Sequence, residues 1–447
     1  MFVQFVETIN GFLSNYILVF LLLGIGIWYT FLTKFVQVRC FKEGVCRLFS
    51  RQETKQGSMS SFQALTTAIA AQVGTGNIIG SAGAILVGGP GAIFWMWMIA
   101  FFGMATVYAE AVLAIQTRKV QKDGRILGGP VYYIRKAFPG FLGKGMAAFF
   151  AIAIILALGF MGCMVQANSI GSTFETAFSV PSWIVGVVLI IACAIVFFSD
   201  VSFLAKVVEK IVPIMAGFFL TGCIWILMVR HRYILSAFQM IFTYAFCPQA
   251  ILGGSVGHTL KLAISQGAKR GLFSNEAGMG STPHAHAQAN VKCAHDQGVV
   301  AIVGVFIDTF VVLTLNALVI ISTMYTVDGP LHSGVIPVGI ENTNLAQLAF
   351  GSVMSDSLGS AFVAVCLLFF AFSTILSWNM FGKINVEYLF GKKAVKYYSC
   401  LALGFIFLGT MVSHTMVWEL SDLFNNLMVI PNTLALFVLC NFVTEKN

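Results

Sequence analysis

Ala70-Ala71-Gln72-Val73-Gly74-Thr75-Gly76-Asn77-Ile78-Ile79-Gly80 decides how the rest of the chain is read. It sits inside an apolar segment running from about Phe62 to Val87, long enough to cross a bilayer. A continuous helix is costly here, because Gly74 and Gly76 loosen the backbone and Gln72 and Asn77 bring amides to membrane depth. The expectation is a broken helix. Unwound backbone at that depth survives only where protein buries it or where it lines a cavity, so the break marks a binding site. The competing reading is a helix-packing face, since Gly76 and Gly80 form a G-x-x-x-G spacing.

The composition excludes a soluble protein: 58% of the 447 residues are hydrophobic, 10% are charged, and 42 are phenylalanine. In a soluble chain the net charge of +8 would suggest nucleic acid, but here the basic residues lie in loops between apolar segments, where they set orientation. No nucleic-acid partner is expected. The ten cysteines include Cys163, Cys193, Cys223, Cys366, Cys400 and Cys440 in apolar spans and form no C-x-x-C pair, so they read as small hydrophobes and not as a metal site. The first apolar run reaches about Thr33, too long for a cleaved signal, and is taken as a transmembrane helix.

Ten clear spans lie near 14–33, 62–87, 91–116, 146–172, 182–199, 209–229, 299–323, 360–381, 397–415 and 423–443. Lys34, Arg39, Lys42, Arg47, Arg51 and Lys55 follow the first, and Arg118, Lys119, Lys122, Arg125, Arg135, Lys136 and Lys144 follow the third, which makes that side cytoplasmic. Residues 324–356 hold no Lys or Arg, whereas Lys383, Lys392, Lys393 and Lys396 follow the next span. Ten spans would reverse the rule there, so an eleventh crossing must lie between Tyr233 and Asp296. Its only candidate is 264–283, glycine-rich and polar at its middle. Charge parity thus requires a second broken helix near 274–281, five spans after the first.

Two broken helices heading equivalent five-helix units are the pattern of an inverted-repeat transporter. The expected organisation is a leading helix with a basic loop (1–56), a first five-helix repeat (57–229) and a second (230–447). A channel would instead require filter-like rings from several subunits, and none is evident.

A zwitterionic amino acid can be held at such breaks by backbone, because half-helix N-termini offer N–H groups to an anion and C-termini offer carbonyls to a cation. The neutral side chains Gln72, Thr75, Asn77, Gln166, Asn168 and Asn275 fit that chemistry. Glu110 and Glu276 read as the main ionisable groups at depth, either as relays or as carboxylates that brace unwound backbone. His284 and His286 are two apart, not four, which argues against a metal site. Lys269 and Arg270 either snorkel or face an aqueous vestibule. Thr374 and Trp378 share one helical face, with Ser373 and Ser377 beside it; such hydroxyls can ligate a hard cation or bond their own helix carbonyls.

Four strings carry a family likeness: Gly88-Gly89-Pro90-Gly91-Ala92-Ile93-Phe94-Trp95-Met96-Trp97, Val73 to Ile78, Val165-Gln166-Ala167-Asn168-Ser169-Ile170, and Ser274-Asn275-Glu276-Ala277-Gly278-Met279-Gly280-Ser281 with Ala285-His286-Ala287. In order and spacing, from about 57 to 390, they resemble the alanine or glycine:cation symporter family. The resemblance implies an all-α polytopic protein of the leucine-transporter type, with eleven transmembrane helices arranged as one plus five plus five. It implies symport of a small neutral amino acid with Na⁺, and neither enzymatic activity nor a resident cofactor. By that likeness Gln72, Thr75, Gly76, Asn77, Gly278 and Met279 hold the amino acid's charged groups, and Gln166, Thr374 and Trp378 line its side-chain pocket. The cation lies between Ala71 and Gly74 of the first break and Ser373, Thr374 or Ser377. Position 72 is Thr, Ser or Asp in many members; Gln72 is expected to shrink the pocket or add a donor.

The expectation is thus a plasma-membrane symporter, bacterial or archaeal, with its N-terminus outside and its C-terminus in the cytoplasm. Its partners are alanine or glycine, Na⁺ and the bilayer. Proton coupling through Glu110 or Glu276, a preference for serine or glutamine, and a channel or receptor are the rival readings.

Overall fold

A computed structural model describes residues 2–48, 59–121, 125–246, 256–332 and 334–444. Arg51, Lys55 and Lys122 of the basic loops, and the boundary at 56–57, lie outside those residues. The chain is helical almost throughout: α1 (2–32), α2 (Ser61–Gln72), α3 (Gly76–Gly88), α4 (Ala92–Thr117), α5 (Gly140–Phe178), α6 (Ser182–Phe197), α7 (Val201–Val229) and α8 (His231–Phe246). They are followed by α9 (Val256–Asn275), α10 (Pro283–His286), α11 (Ala294–Met324), α12 (Leu345–Met354), α13 (Asp356–Phe390), α14 (Ala394–Gly409) and α15 (His414–Val438).

Among the described residues six helices are long and apolar enough to cross a membrane, and the pair α2 and α3, bent by 46° at its break, makes a seventh. The shorter apolar helices α6, α12 and α14, the more polar α15 and the α9–α10 pair pack with them. Observed helices extend past the apolar windows, α1 starting at residue 2 and not 14, α15 covering 414–438 and not 423–443. Hydropathy marks the lipid-facing middle of a helix, while its polar ends are held by neighbours, as when Asn10 donates to the Glu419 carbonyl at 2.8 Å. α8 and α12 were not foreseen, nor was the two-stranded hairpin of Lys119–Val120 and Ile126–Leu127.

Local chemistry sets the ends of α2. Ser60 and Gln63 form a reciprocal capping box at its start, with bonds of 3.0 and 3.1 Å. The backbone of Met59 pairs with Gln288 and Asn290, tying this start to the chain beyond the second break. Arg118 donates to the carbonyls of Ala287 and Ala289 and clamps the same segment. α2 ends at Gln72, two residues are non-helical, and the chain re-enters through a widened π-type stretch at Gly76–Gly80. Similar stretches occur at Ile155–Gly162 of α5 and Phe306–Leu313 of α11, beside the same centre; such bulges often mark functional positions.

Candidate functional site: two helix breaks

The two breaks touch. A Cβ on Gly76 would lie 3.0 Å from the Ser274 Cα and 3.1 Å from the Phe273 ring, so only glycine permits this approach. Gln72 Nε2 donates to the Asn275 carbonyl at 2.7 Å, across the gap between α2 and the end of α9. Gln72 therefore ties one break to the other, and its remaining oxygen is buried without a partner near Gly304. The amide nitrogen that the family likeness would offer to the amino acid is engaged here between the breaks.

Within the first break, Asn77 Oδ1 accepts the Gly74 N–H at 3.0 Å, closing the turn. The Thr75 N–H donates to Gln166 Oε1 at 3.2 Å, which brings α5 against the break. The Thr75 hydroxyl and Gln166 Nε2 are buried and make no hydrogen bond within the protein. Asn168, in contrast, is consumed by the Gly409 and Val412 carbonyls and holds the turn before α15.

Asp308 is the residue that sequence reasoning missed. It is fully buried in the widened stretch of α11 and receives Asn77 Nδ2 at 2.7 Å, the Ser274 hydroxyl at 2.9 Å and the Thr309 hydroxyl at 2.8 Å. One carboxylate thus joins both breaks. An ionisable group within an apolar run, Phe306-Ile307-Asp308-Thr309, was the available signal. Asn316, two turns on, donates to the carbonyls of Asn77 and Ile78 in the π-type stretch.

The second break is strained and braced. Glu276 has φ +56°, a left-handed value costly for a side-chain-bearing residue, and Gly278 and Gly280 follow at +84° and +83°. Glu276 accepts the Trp378 indole N–H and the Ser281 hydroxyl, both at 2.5 Å, which fixes the turn to α13. Glu110 accepts Asn432 Nδ2 at 2.6 Å and the Gly278 N–H at 3.3 Å, and Asn432 also donates to the Gly278 carbonyl. Tyr133 donates to Asn432 in turn. Gly278 faces Leu22 and Thr106, and the residues of this break that meet the first are Phe273, Ser274 and Asn275. Met279 is buried as well.

On α13, the Thr374 hydroxyl lies 2.8 Å from the Ala70 carbonyl and 3.4 Å from that of Val73, and it packs on Gly74. The carbonyls it meets are each one residue before the expected Ala71 and Gly74. Ser377 is buried with an unpartnered hydroxyl, whereas Ser373 turns away, toward Met215 and its own helix. Trp378 stands against Gly162 and meets the Phe273 ring edge-on at 6.0 Å.

Phe273 also packs on Trp418 of α15 at 4.7 Å, and Arg270 lies 4.4 Å from the Trp418 ring. Above this stack Lys269 pairs with Asp422 at 2.7 Å and Glu419 at 3.4 Å, and Arg270 with Asp422 at 3.4 Å. Lys269 and Arg270 thus link the end of α9 to α15. His284 is held by Asn385 and the Ser281 carbonyl, and His286 by Gln297; the two histidines share no ligand geometry.

Two discontinuous helices in contact at their breaks, joined by buried polar side chains and enclosed by long helices, define a polytopic secondary transporter of the leucine-transporter type. Crystals of MhsT in complex with L-phenylalanine show the same fold, with a TM-score of 0.58 over 85% of this chain and 89% of that one, at 15% identity. The chain belongs to the sodium:alanine symporter family, whose sequence model matches residues 1–447. It is 40% identical to the sodium/alanine symporter AgcS of Methanococcus maripaludis, over 100% of this chain and 96% of that protein. It is 37% identical to the probable sodium/glutamine symporter GlnT of Bacillus subtilis, over 97% of this chain and 87% of the relative.

Proposed function

We propose that the chain couples Na⁺ entry to uptake of a small neutral amino acid, alanine or glycine, bound between the two breaks. The observation that carries this is the convergence of unpartnered Thr75 and Gln166 groups on the start of α3, walled by Phe273 and Trp378. Helix starts favour a carboxylate, and the close aromatic walls favour a short side chain. Thr75, Gly76, Asn77, Gln166, Thr374 and Trp378 form the ligand set, with Gln72 positioning the breaks. Glu110 and Glu276 brace the second break, and no covalent step is involved.

Two places suit the cation. Thr374 meets the carbonyls of Ala70 and Val73 with the buried Ser377 hydroxyl three residues further along α13, and Asp308 supplies carboxylate oxygens between Asn77 and Ser274. Hard oxygen donors of this kind suit Na⁺. A cation at either place orders the break that binds the amino acid, so each ligand strengthens the other.

The repeats are 57–229 and 230–447, and access alternates by movement of one against the other. The N-terminus lies outside a bacterial or archaeal plasma membrane and the basic loops lie in the cytoplasm. The relative named for glutamine supports a second reading, in which a longer substrate enters the same site.

Radiolabelled alanine uptake into proteoliposomes, competed by unlabelled amino acids, tests the substrate. Competition by alanine and glycine is expected. Competition by glutamine alone, with glutamine itself accumulated, would overturn the small-substrate assignment and keep the transporter.

A further inference from the structure

The end of the molecule that carries the basic loop holds a cluster no part of the transport site uses. Cys40 lies between the short helices Val36–Arg39 and Phe41–Leu48, which connect α1 to α2. Its sulfur, a Glu43 carboxylate oxygen and a His295 ring nitrogen all lie within 4.8 Å of one another. Read as apolar filler in the sequence, this cysteine instead stands half-buried beside two further ligand types.

The spacing suits a metal better than a hydrogen bond. His295 Nε2 and Glu43 Oε2 are 3.4 Å apart, long for a hydrogen bond. Bonds of about 2.0–2.2 Å at a tetrahedral angle place ligand atoms about 3.3–3.6 Å apart, so this pair already spans one edge of such a polyhedron. Both groups are oriented from behind. Tyr108 Oη is 2.8 Å from His295 Nδ1, fixing the ring with Nε2 outward. Arg47 Nη2 is 3.1 Å from Glu43 Oε1 and 3.0 Å from Asp296 Oδ1, which leaves Oε2 to face the ring. Outer partners of this kind are the usual support of a metal ligand. The side chains of His295 and Glu43 are 24% and 39% exposed, within reach of a dissolved ion.

We propose that Cys40, Glu43 and His295 form a Zn²⁺ site, with a fourth position left to water. A thiolate with an imidazole selects a borderline-soft ion over Mg²⁺, Ca²⁺ or Na⁺. Arg47 beside Glu43 opposes the added charge and keeps the affinity below that of a structural zinc site. The bound ion joins the connector between α1 and α2 to α11, where Gly44 already packs directly on the Val299 carbonyl. It therefore stiffens a contact between the leading unit and the second repeat and slows transport. That last consequence rests on the proposed function; the binding does not.

Calorimetric titration of Zn²⁺ into the purified full chain in detergent tests the site, alongside Cys40→Ser and His295→Gln, with thermal unfolding as a check that each variant is folded. The expected result is one saturable Zn²⁺ per chain, no response to Mg²⁺, and at least tenfold weaker binding in both variants. Absence of saturable binding to the unmodified chain, or unchanged affinity in either folded variant, overturns the proposal. Alanine uptake measured with Zn²⁺ on the basic-loop side should fall, and Cys40→Ser should relieve the inhibition. A chain that binds Zn²⁺ at Cys40 yet takes up no amino acid refutes the transport reading alone.

Discussion

Gln72 Nε2 lies 2.7 Å from the carbonyl oxygen of Asn275, so a side chain at the end of one half-helix satisfies a carbonyl at the end of the other. The two breaks cannot separate without exposing both groups in a buried setting. A buried hydrogen bond that loses one partner typically costs about 1–3 kcal/mol, or roughly 5- to 150-fold in an equilibrium.

Gln72→Ala is therefore expected to weaken alanine binding by about tenfold or more while leaving the order of competing amino acids unchanged. Competition assays on the variant decide this. A changed order of preference, with affinity retained, would show that Gln72 lines the pocket and does not join the breaks.

Asp308 connects Asn77 and Ser274. Asp308→Asn keeps the size but removes the charge that a cation would meet, so half-saturation for Na⁺ should rise at least tenfold, as read by titrating Na⁺ in uptake assays. An unaltered Na⁺ dependence would leave Thr374 and Ser377 as the whole of the cation site. Thr374→Ala, which removes the hydroxyl facing Ala70 and Val73, should also weaken Na⁺.

Much of this was legible in the sequence, for physical reasons. Gly74 and Gly76 announce the interruption between α2 and α3, Gly278 and Gly280 a left-handed turn, and the distribution of Lys and Arg points to a crossing where hydropathy finds none. Asp308 was passed over because it sits in a span whose hydropathy is high without it. The one-residue offset from Ala71 and Gly74 to Ala70 and Val73 depends on where α2 stops, which glycine content alone does not fix. The pairing of Lys269 and Arg270 with α15 joins residues about 150 positions apart, beyond any local pattern.

Glu110 braces Gly278 and Asn432. Glu110→Ala should lower the unfolding temperature measurably, since it strands two donors at a cost of about 1–3 kcal/mol each. Glu110→Gln should keep uphill uptake. Loss of uphill uptake in Glu110→Gln, with exchange retained, would instead identify a proton relay.

The pairs of Lys269 and Arg270 with Asp422 and Glu419 close over the Phe273–Trp418 stack. Buried pairs are strongly weakened when one partner is removed. Asp422→Asn should open this end and speed thiol labelling of a Ser421→Cys probe from that side. A labelling rate equal to that of the probe alone would mean that the charges only hold α9 to α15.

The most direct test of the account is radiolabelled alanine accumulation in proteoliposomes under an inward Na⁺ gradient, compared with choline or K⁺ in its place. Accumulation above the external concentration with Na⁺, and equilibration at most without it, is the expected result. Equal accumulation after Na⁺ is replaced would contradict coupling at the two breaks.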